Sequence, residues 1–227
     1  MKEYIIGVDD AGRGPIIGPM IVAGVLFDKE ADAILKKHGV KDSKMLLPGT
    51  REKLAHEIKK LSLGYEIVKI LPAEIDDAVI SGFNINSLEA NKMAYAINQL
   101  VDGLDKDAKI TVHVDCPSNN INAWKAVLLK YINRKEMDFK VEHKCDVNHV
   151  ECSAASVLAK VTRDDEMKKI RGEYNIECGS GYPADPVCVE FLKTPRAREL
   201  AEKGLIRKSW QTWKNHNKEI EQKKLFQ

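Results

Sequence analysis

The feature that most constrains this 227-residue chain is a pair of adjacent aspartates at the end of its first apolar run. Residues Tyr4 to Val8 are typical of a buried strand, and Asp9 and Asp10 follow directly, before a glycine-rich segment. Neighbouring strand residues point to opposite faces, so we expect the strand to stop between the two acids, with Asp10 turning into the glycine loop. Two carboxylates at one site repel each other, which favours a divalent cation as their partner.

Composition is typical of a protein with a substantial core, since hydrophobic residues make up 44% and charged residues 31%. No apolar run approaches the roughly 20 residues that span a bilayer, and the N-terminus lacks the apolar region of a secretory signal. An odd number of cysteines, five, without a C-x-x-C pair indicates reduced thiols. We therefore predict a cytoplasmic protein with no membrane segment.

The order of the segments predicts an α/β fold: a mixed sheet flanked by helices, followed by a helical C-terminal region. The predicted strands are Tyr4–Val8, Met20–Phe27, Tyr65–Leu71, Lys109–Asp115 and Phe139–His143. The predicted helices are Arg51–Leu61, Asn84–Leu100, Trp124–Ile132, Ser153–Arg171, Pro186–Lys203 and Ser209–Lys223. From residue 201 onward there are seven basic and three acidic residues. This basic end could face phosphates or could simply be solvated.

Two further acids lie where a strand ends or has just ended. Asp115 ends its predicted strand as Asp9 does, so strands that run the same way would place both on one rim of the sheet. Asp146 follows the fifth predicted strand. Four converging acids can neutralise two divalent cations about 4 Å apart, the arrangement used for in-line phosphodiester cleavage. Taken singly, Asp115 is more typical of a strand-end turn and Asp146 of a helix-flanking surface acid, but the four together favour the cation site.

A second group of possible metal ligands follows the fifth predicted strand. His143, Cys145, His149 and Cys152 could supply four ligands to zinc. Their spacing matches no common zinc module, and the segment is predicted to run from a strand end into a helix. The sequence therefore favours an ordinary connection over a zinc site.

Seven motifs of this chain occur in the same order in ribonuclease HII, and the compact archaeal type is the most similar. The motifs are Asp9–Pro15, Lys41–Lys44, Val114–Asp115, Glu142–Asp146, Ser153–Ser156, Ala159–Lys160 and Gly179–Pro183. The resemblance extends from Tyr4 to about Trp213. It implies an RNase H-like catalytic domain over residues 1–185, with a helical region over 186–227 packed on it, in a monomer.

The resemblance also implies an activity. Ribonuclease HII cleaves the RNA strand of RNA–DNA hybrids, and single ribonucleotides within duplex DNA, by two-metal-ion hydrolysis that leaves a 3′-hydroxyl and a 5′-phosphate. The cofactors would be two Mg²⁺ or Mn²⁺ ions. The catalytic, metal-binding acids would be Asp9, Asp10, Asp115 and Asp146. The second acid of the family is usually Glu, so Asp10 is shorter by one methylene, and we expect an active enzyme with an altered metal preference.

Substrate contacts are carried over in the same way. The loop Gly12, Arg13 and Gly14 corresponds to the segment whose backbone reads the 2′-hydroxyl, because glycine allows close backbone approach and the 2′-hydroxyl distinguishes RNA from DNA. Tyr182 corresponds to the tyrosine that stacks on the sugar after the ribonucleotide, although a tyrosine packed in a turn is an equally good interpretation of the residue alone. The expected phosphate contacts are Ser43, Lys44, Lys144, Ser153 and Ser156.

Some interpretations remain open beside these. Ser153 could be a plain helix N-cap, and the segment 207–209 could contact the DNA strand. A non-catalytic module that binds RNA–DNA hybrids would keep Arg13, Lys44 and Tyr182 without needing four convergent acids. Residues 222–227 resemble a sliding-clamp-binding box in Gln222 and Leu225 but lack its paired aromatics. These residues are more typical of an ordinary amphipathic helix end.

Overall fold

The computed structural model describes residues 2–37, 39–40 and 48–216. The strands are β1 Glu3–Ala11, β2 Met20–Asp28, β3 Gly64–Ile70, β4 Lys109–Asp115 and β5 Asp138–Glu142. The helices are α1 Ala31–Lys37, α2 Pro48–Leu61, α3 Pro72–Ile80, α4 Ile85–Val101, α5 Ile121–Lys130, α6 Cys145–Asn148, α7 Val150–Tyr174, α8 Pro186–Leu192 and α9 Pro195–Glu202. Residues 211–216 are also helical. No helix within these ranges is long and apolar enough to cross a membrane.

The five strands form one mixed sheet in the order β3-β2-β1-β4-β5. β1 runs antiparallel to β2 and parallel to β4, and β4 runs parallel to β5. The central strands carry almost continuous apolar runs, as expected for strands covered on both faces. Ile6, Val8, Val112 and Val114 are fully buried. The predicted mixed α/β sheet is confirmed.

The first strand is longer than predicted. Its antiparallel pairing with β2 continues through Asp9 and Asp10 to Ala11, whereas its parallel pairing with β4 ends at Val8. The expected stop between the two acids is therefore wrong, because β2 supplies ladder partners beyond the point at which β4 ends. Asp9 and Asp10 thus both lie within β1, paired with Ala23 and Val22 of β2.

The predicted helix Pro186–Lys203 is two helices, α8 and α9. The chain is extended at Thr194, with φ −86° and ψ 156°, which is typical of a residue before proline, and Pro195 begins α9. Proline has no N–H to continue α8 and is favoured in the first turn of a new helix. Of the last predicted helix, Ser209–Lys223, residues 211–216 are helical and those after 216 lie outside the described residues.

By its internal contacts the chain divides into two compact units. The first comprises Met1–Ala11, Ile21–Val68 and Asn86–Thr162, and the second comprises Gly12–Met20, Lys69–Ile85 and Arg163–Gln227, in each case as far as the structure describes them. In the first unit β2 packs on α2 and the start of α7 through Phe27, Ile58 and Leu158. In the second, Ile16 and Phe191 belong to a separate buried cluster. The boundary between residues 185 and 186 stays a prediction.

All five cysteines are free thiols and all are buried. Burial raises the pKa of the Cys188 thiol to about 12 and raises that of Cys152 well above its ordinary value. The predicted reduced state agrees with this arrangement.

Candidate active site

Asp9 is the most buried of the sequence-predicted acids, with 4% of its surface exposed. Burial raises the pKa of its carboxyl well above the ordinary value, and the negative charges of Asp10 and Asp115 raise it further. A hydrogen bond from Ser156 and one from the Asp10 amide, 2.7 Å from Oδ1, oppose this shift. The carboxylates of Asp10 and Asp115 are therefore both close enough to Asp9 to act on it. Hard oxygen ligands that share unfavourable negative charge suit a divalent cation.

The backbone after β5 carries Asp146 and hydrogen-bonds the side chain of Asp115. Lys144 adopts a left-handed conformation, with φ 57°, and starts the short helix α6. The amide of Cys145 then donates to Asp115 Oδ1 at 2.7 Å. Asp146, the next residue of α6, is buried with 7% of its surface exposed. The turn at Lys144 thus links the segment that carries Asp146 directly to Asp115.

Gly7 allows the start of α7 to lie directly against β1. A Cβ atom at Gly7 would lie 2.1 Å from the carbonyl carbon and oxygen of Glu151 and 2.5 Å from the amide nitrogen of Cys152. Gly7 and Asp9 are two residues apart and share a face of the strand. The Sγ atom of Cys152 donates to the Val8 carbonyl at 3.2 Å. Sequence reasoning missed this contact, although a glycine inside a strand is a signal of close backbone approach.

A buried His–Glu network lies on the same side of β4 as Asp115. His113 Nδ1 hydrogen-bonds Glu151 Oε1, and both side chains are only 4% exposed. The His113 and His149 rings lie 3.8 Å apart between centroids, and His149 Nε2 lies 3.0 Å from Glu142 Oε1. Sequence reasoning missed this network as well. The available signal was a histidine at an alternating position two residues before Asp115, inside an otherwise apolar strand.

The four residues considered for zinc do not converge as one set. Cys145 and His149 instead approach Glu142. The ring nitrogen Nδ1 of His143 lies 2.9 Å from the Cys116 carbonyl oxygen, with which it can hydrogen-bond. The ordinary strand-to-helix connection is the better description of this segment.

The glycine loop and Tyr182 are neighbours in the second unit. Gly12 has φ +82°, and a Cβ atom there would lie 2.7 Å from Arg163 Nε and 2.8 Å from the Pro19 carbonyl oxygen. A Cβ atom at Gly14 would lie 3.4 Å from the Tyr182 ring. Tyr182 is 46% exposed and Gly14 is exposed. The loop therefore presents an open glycine beside an exposed aromatic ring.

The residues predicted to contact phosphates differ in their exposure in the structure. Ser153 is buried and its hydroxyl donates to the Val40 carbonyl at 2.6 Å, so its position does not agree with a phosphate contact. It is also no N-cap, because α7 begins three residues earlier, at Val150. The Ser156 side chain hydrogen-bonds the Asp9 carboxylate, and Lys144 is exposed. Ser43 and Lys44 lie outside the described residues.

Comparison with known proteins shows the family to which the chain belongs. A family model described as Ribonuclease HII matches residues 6–213. The chain belongs to the ribonuclease HII family. It is accordingly an enzyme, a metal-dependent ribonuclease of the H type 2 class.

Relatives align along nearly the whole chain. Ribonuclease HII of Methanococcus maripaludis (strain C6) is 36% identical over 225 residues, covering 99% of this chain and 92% of the relative. The crystal structure of ribonuclease H2 from Pyrococcus horikoshii OT3 matches with a TM-score of 0.81 and 32% identity, covering 96% and 99% of the two chains. The structure of the PCNA:RNase HII complex from Archaeoglobus fulgidus matches with a TM-score of 0.77 and 32% identity, covering 93% and 96%. These matches confirm the predicted RNase H-like fold.

Proposed function

We propose that this enzyme cleaves the RNA strand of RNA–DNA hybrids and single ribonucleotides within duplex DNA, using two divalent cations, Mg²⁺ or Mn²⁺. Two observations carry the proposal. Asp9 and Asp115 follow the last paired residues, Val8 and Val114, of the parallel strands β1 and β4, and the negative charges of Asp10 and Asp115 add to burial in raising the pKa of Asp9. A non-catalytic module that binds hybrids has no need of carboxylates in this arrangement, since they would repel the phosphates.

Asp9, Asp10, Asp115 and Asp146 are proposed to hold the cations. Bound there, the cations would supply a Lewis acid and lower the pKa of a water molecule. Ser156 and the Asp10 amide orient the Asp9 carboxylate, and the Cys145 amide orients Asp115. Hydrogen bonds from fixed donors keep these carboxylates in place, so little reorganisation is needed during the reaction.

Substrate recognition is assigned to the second unit. The backbone of Gly12, Arg13 and Gly14 would read the 2′-hydroxyl, and Tyr182 would stack on the following sugar. The exposed Tyr182 ring beside an exposed Gly14 supports this assignment. A tyrosine that requires deoxyribose on the 3′ side would favour cleavage 5′ of the last ribonucleotide, at an RNA-to-DNA junction. Lys144 remains a candidate phosphate contact because its side chain is exposed.

The test uses duplex DNA that contains one ribonucleotide, with Mg²⁺ or Mn²⁺, and maps the nick. We expect a single nick 5′ of the ribonucleotide, with a 3′-hydroxyl and a 5′-phosphate. Asp115→Asn should lose cleavage and keep the fold, whereas Asp107→Asn, at an exposed aspartate, should match the wild type. EDTA should abolish cleavage and leave binding measurable. Cleavage that survives both EDTA and Asp115→Asn would refute the proposal.

A sliding clamp is proposed as a partner. The support is the structure of the PCNA:RNase HII complex from Archaeoglobus fulgidus, a relative that is 32% identical to this chain. Residues 222–227, which carry the box-like pattern, lie outside the described residues. A pull-down with purified clamp should retain the full chain and lose a chain that ends at Glu221. Equal retention of both would exclude the C-terminus as the contact.

A further inference from the structure

Arg207 is a fully buried side chain of the second unit, and its guanidinium contacts the glycine loop. Nη1 donates to the Arg13 carbonyl at 2.6 Å, and Nη2 donates to the carbonyls of Gly12 at 2.5 Å and Gly18 at 3.1 Å. The expected contact of Arg207 with a DNA strand is therefore wrong, because no part of the side chain reaches solvent. Its hydrogen bonds join two segments about 190 residues apart in sequence.

Two more side chains donate hydrogen bonds to carbonyls of residues 12–19, the segment that contains the glycine loop. Trp210 Nε1 donates to the Gly14 carbonyl at 3.2 Å, and the Arg207 guanidinium lies 5.1 Å from the centre of the Trp210 ring. Arg163 Nη2 donates to the Ile17 carbonyl at 2.8 Å. The carbonyls of this segment thus accept hydrogen bonds from Arg163 of α7 and from Arg207 and Trp210.

Asp76 fixes the segment that follows Arg207. This carboxylate is 4% exposed and accepts hydrogen bonds from the amides of Lys208 and Ser209, at 2.7 and 2.9 Å, and from the Ser209 hydroxyl at 2.6 Å. The Arg207 amide also donates to the Ile16 carbonyl at 2.9 Å. The guanidinium therefore projects from a backbone that is itself held in place.

The direction of these carbonyls sets the direction of the neighbouring N–H groups. In a trans peptide the C=O of one residue and the N–H of the next point to opposite sides, and the described residues contain no cis peptide. The carbonyls of Gly12 and Arg13 point to Arg207, so the N–H groups of Arg13 and Gly14 point away from it.

We infer that Arg207 is a positioning residue for substrate recognition, which turns the peptide groups of the glycine loop so that their N–H groups face the ribonucleotide. The inference rests on the proposed role of this loop in reading the 2′-hydroxyl. Arginine suits the task because its planar fork can bond several carbonyls at once, whereas lysine offers one nitrogen. Both keep the positive charge, so a lysine at position 207 separates the contribution of geometry from that of charge.

The experiment compares Arg207→Met and Arg207→Lys with Arg198→Met, which removes an exposed arginine of α9. Fluorescence anisotropy in EDTA measures the Kd for two duplexes, one with a single ribonucleotide and one of DNA alone. We expect Arg207→Met to lower affinity for the ribonucleotide duplex about tenfold, as for loss of a strong hydrogen-bond network, and to change affinity for the DNA duplex by less than about twofold. Arg207→Lys should recover part of the preference, and Arg198→Met should match the wild type.

Hydrogen exchange supplies a second readout that needs no substrate. Arg207→Met should speed exchange in residues 12–19 and leave residues 3–8 of β1 unchanged. Unchanged exchange in residues 12–19, or an equal loss of affinity for both duplexes, would overturn the inference. Faster exchange with an intact ribonucleotide preference would also overturn it. A wild type that binds both duplexes equally would instead refute the proposed recognition by the loop, and the exchange data would still decide whether Arg207 holds it.

Discussion

Replacing Gly7 with alanine is expected to damage this enzyme more than the size of one methyl group suggests. The added Cβ would lie 2.1 Å from the carbonyl carbon of Glu151, whereas ordinary contacts begin at 3.4 Å. The strand and the first turn of α7 would have to separate by about 1.3 Å. Both sides of the contact are backbone, so no side-chain rotation can relieve the overlap.

The cost should therefore lie at the upper end of the range for overpacked cores, about 3 kcal/mol or more. For a chain of this length, each kcal/mol lowers the midpoint of thermal unfolding, Tm, by roughly 2–4 °C, so Gly7→Ala should lower Tm by roughly 6–12 °C. Asp9 lies two residues further along the same face of β1. A displacement of about 1 Å at a catalytic group can cost about 100-fold in rate, so kcat should fall on that scale.

The measurement is thermal unfolding by circular dichroism in EDTA, followed by cleavage assays well below Tm. The matched control is Gly172→Ala, in α7, where an added Cβ meets nothing within 4 Å. That change should stabilise the helix by roughly 0.5–1 kcal/mol. A Gly7→Ala protein with the Tm and kcat of the wild type would refute the close strand–helix contact.

Three further changes test other parts of the structure. Asp9→Asn should abolish cleavage and stabilise the metal-free protein. The pKa of Asp9 is raised in the folded state, so ionisation of this carboxyl destabilises the fold. The destabilisation is absent below the unfolded-state pKa of about 3.9 and grows as pH rises toward the folded-state pKa. The gap in Tm between variant and wild type in EDTA should widen over that range, and a constant gap would contradict this account. Asp76→Ala should cost about 2–4 kcal/mol in urea unfolding, since three donors lose a charged acceptor, whereas the exposed Asp77→Ala should cost little. Asp10→Glu should shift the ratio of Mg²⁺-supported to Mn²⁺-supported rates, and an unchanged ratio would remove the expected effect of the shorter acid.

Local signals in the sequence predicted most of the sheet. β4 has the predicted bounds, Lys109–Asp115, because its residues alternate between polar and apolar and the alternation ends on an acid. The meeting of Asp9 and Asp115 follows from the parallel pairing of their strands, which the order of strands and helices already favoured. The four acids and the glycine loop were predicted from sequence motifs, and the structure places Asp10 and Asp115 within electrostatic reach of Asp9.

What the sequence did not predict depends on partners far along the chain. The path of β1 through Asp10 is decided by its register with β2, and periodicity within β1 carries no information on that register. Arg207 has an ordinary basic neighbourhood in sequence, yet it is buried because its acceptors are loop carbonyls from the other end of the chain. Ser153 was misjudged because α7 starts three residues before the predicted start, which moves the hydroxyl from a helix terminus to its buried first turns.

The burial of every native thiol makes this protein a convenient background for site-specific labelling. Maleimide dyes react with the thiolate, and burial keeps Cys188, Cys152 and Cys178 protonated near neutral pH. A cysteine introduced at an exposed position, such as Asp107→Cys, should therefore take up one dye per molecule without removal of any native cysteine. Single-molecule fluorescence could then follow the enzyme along duplex DNA in an otherwise unaltered chain.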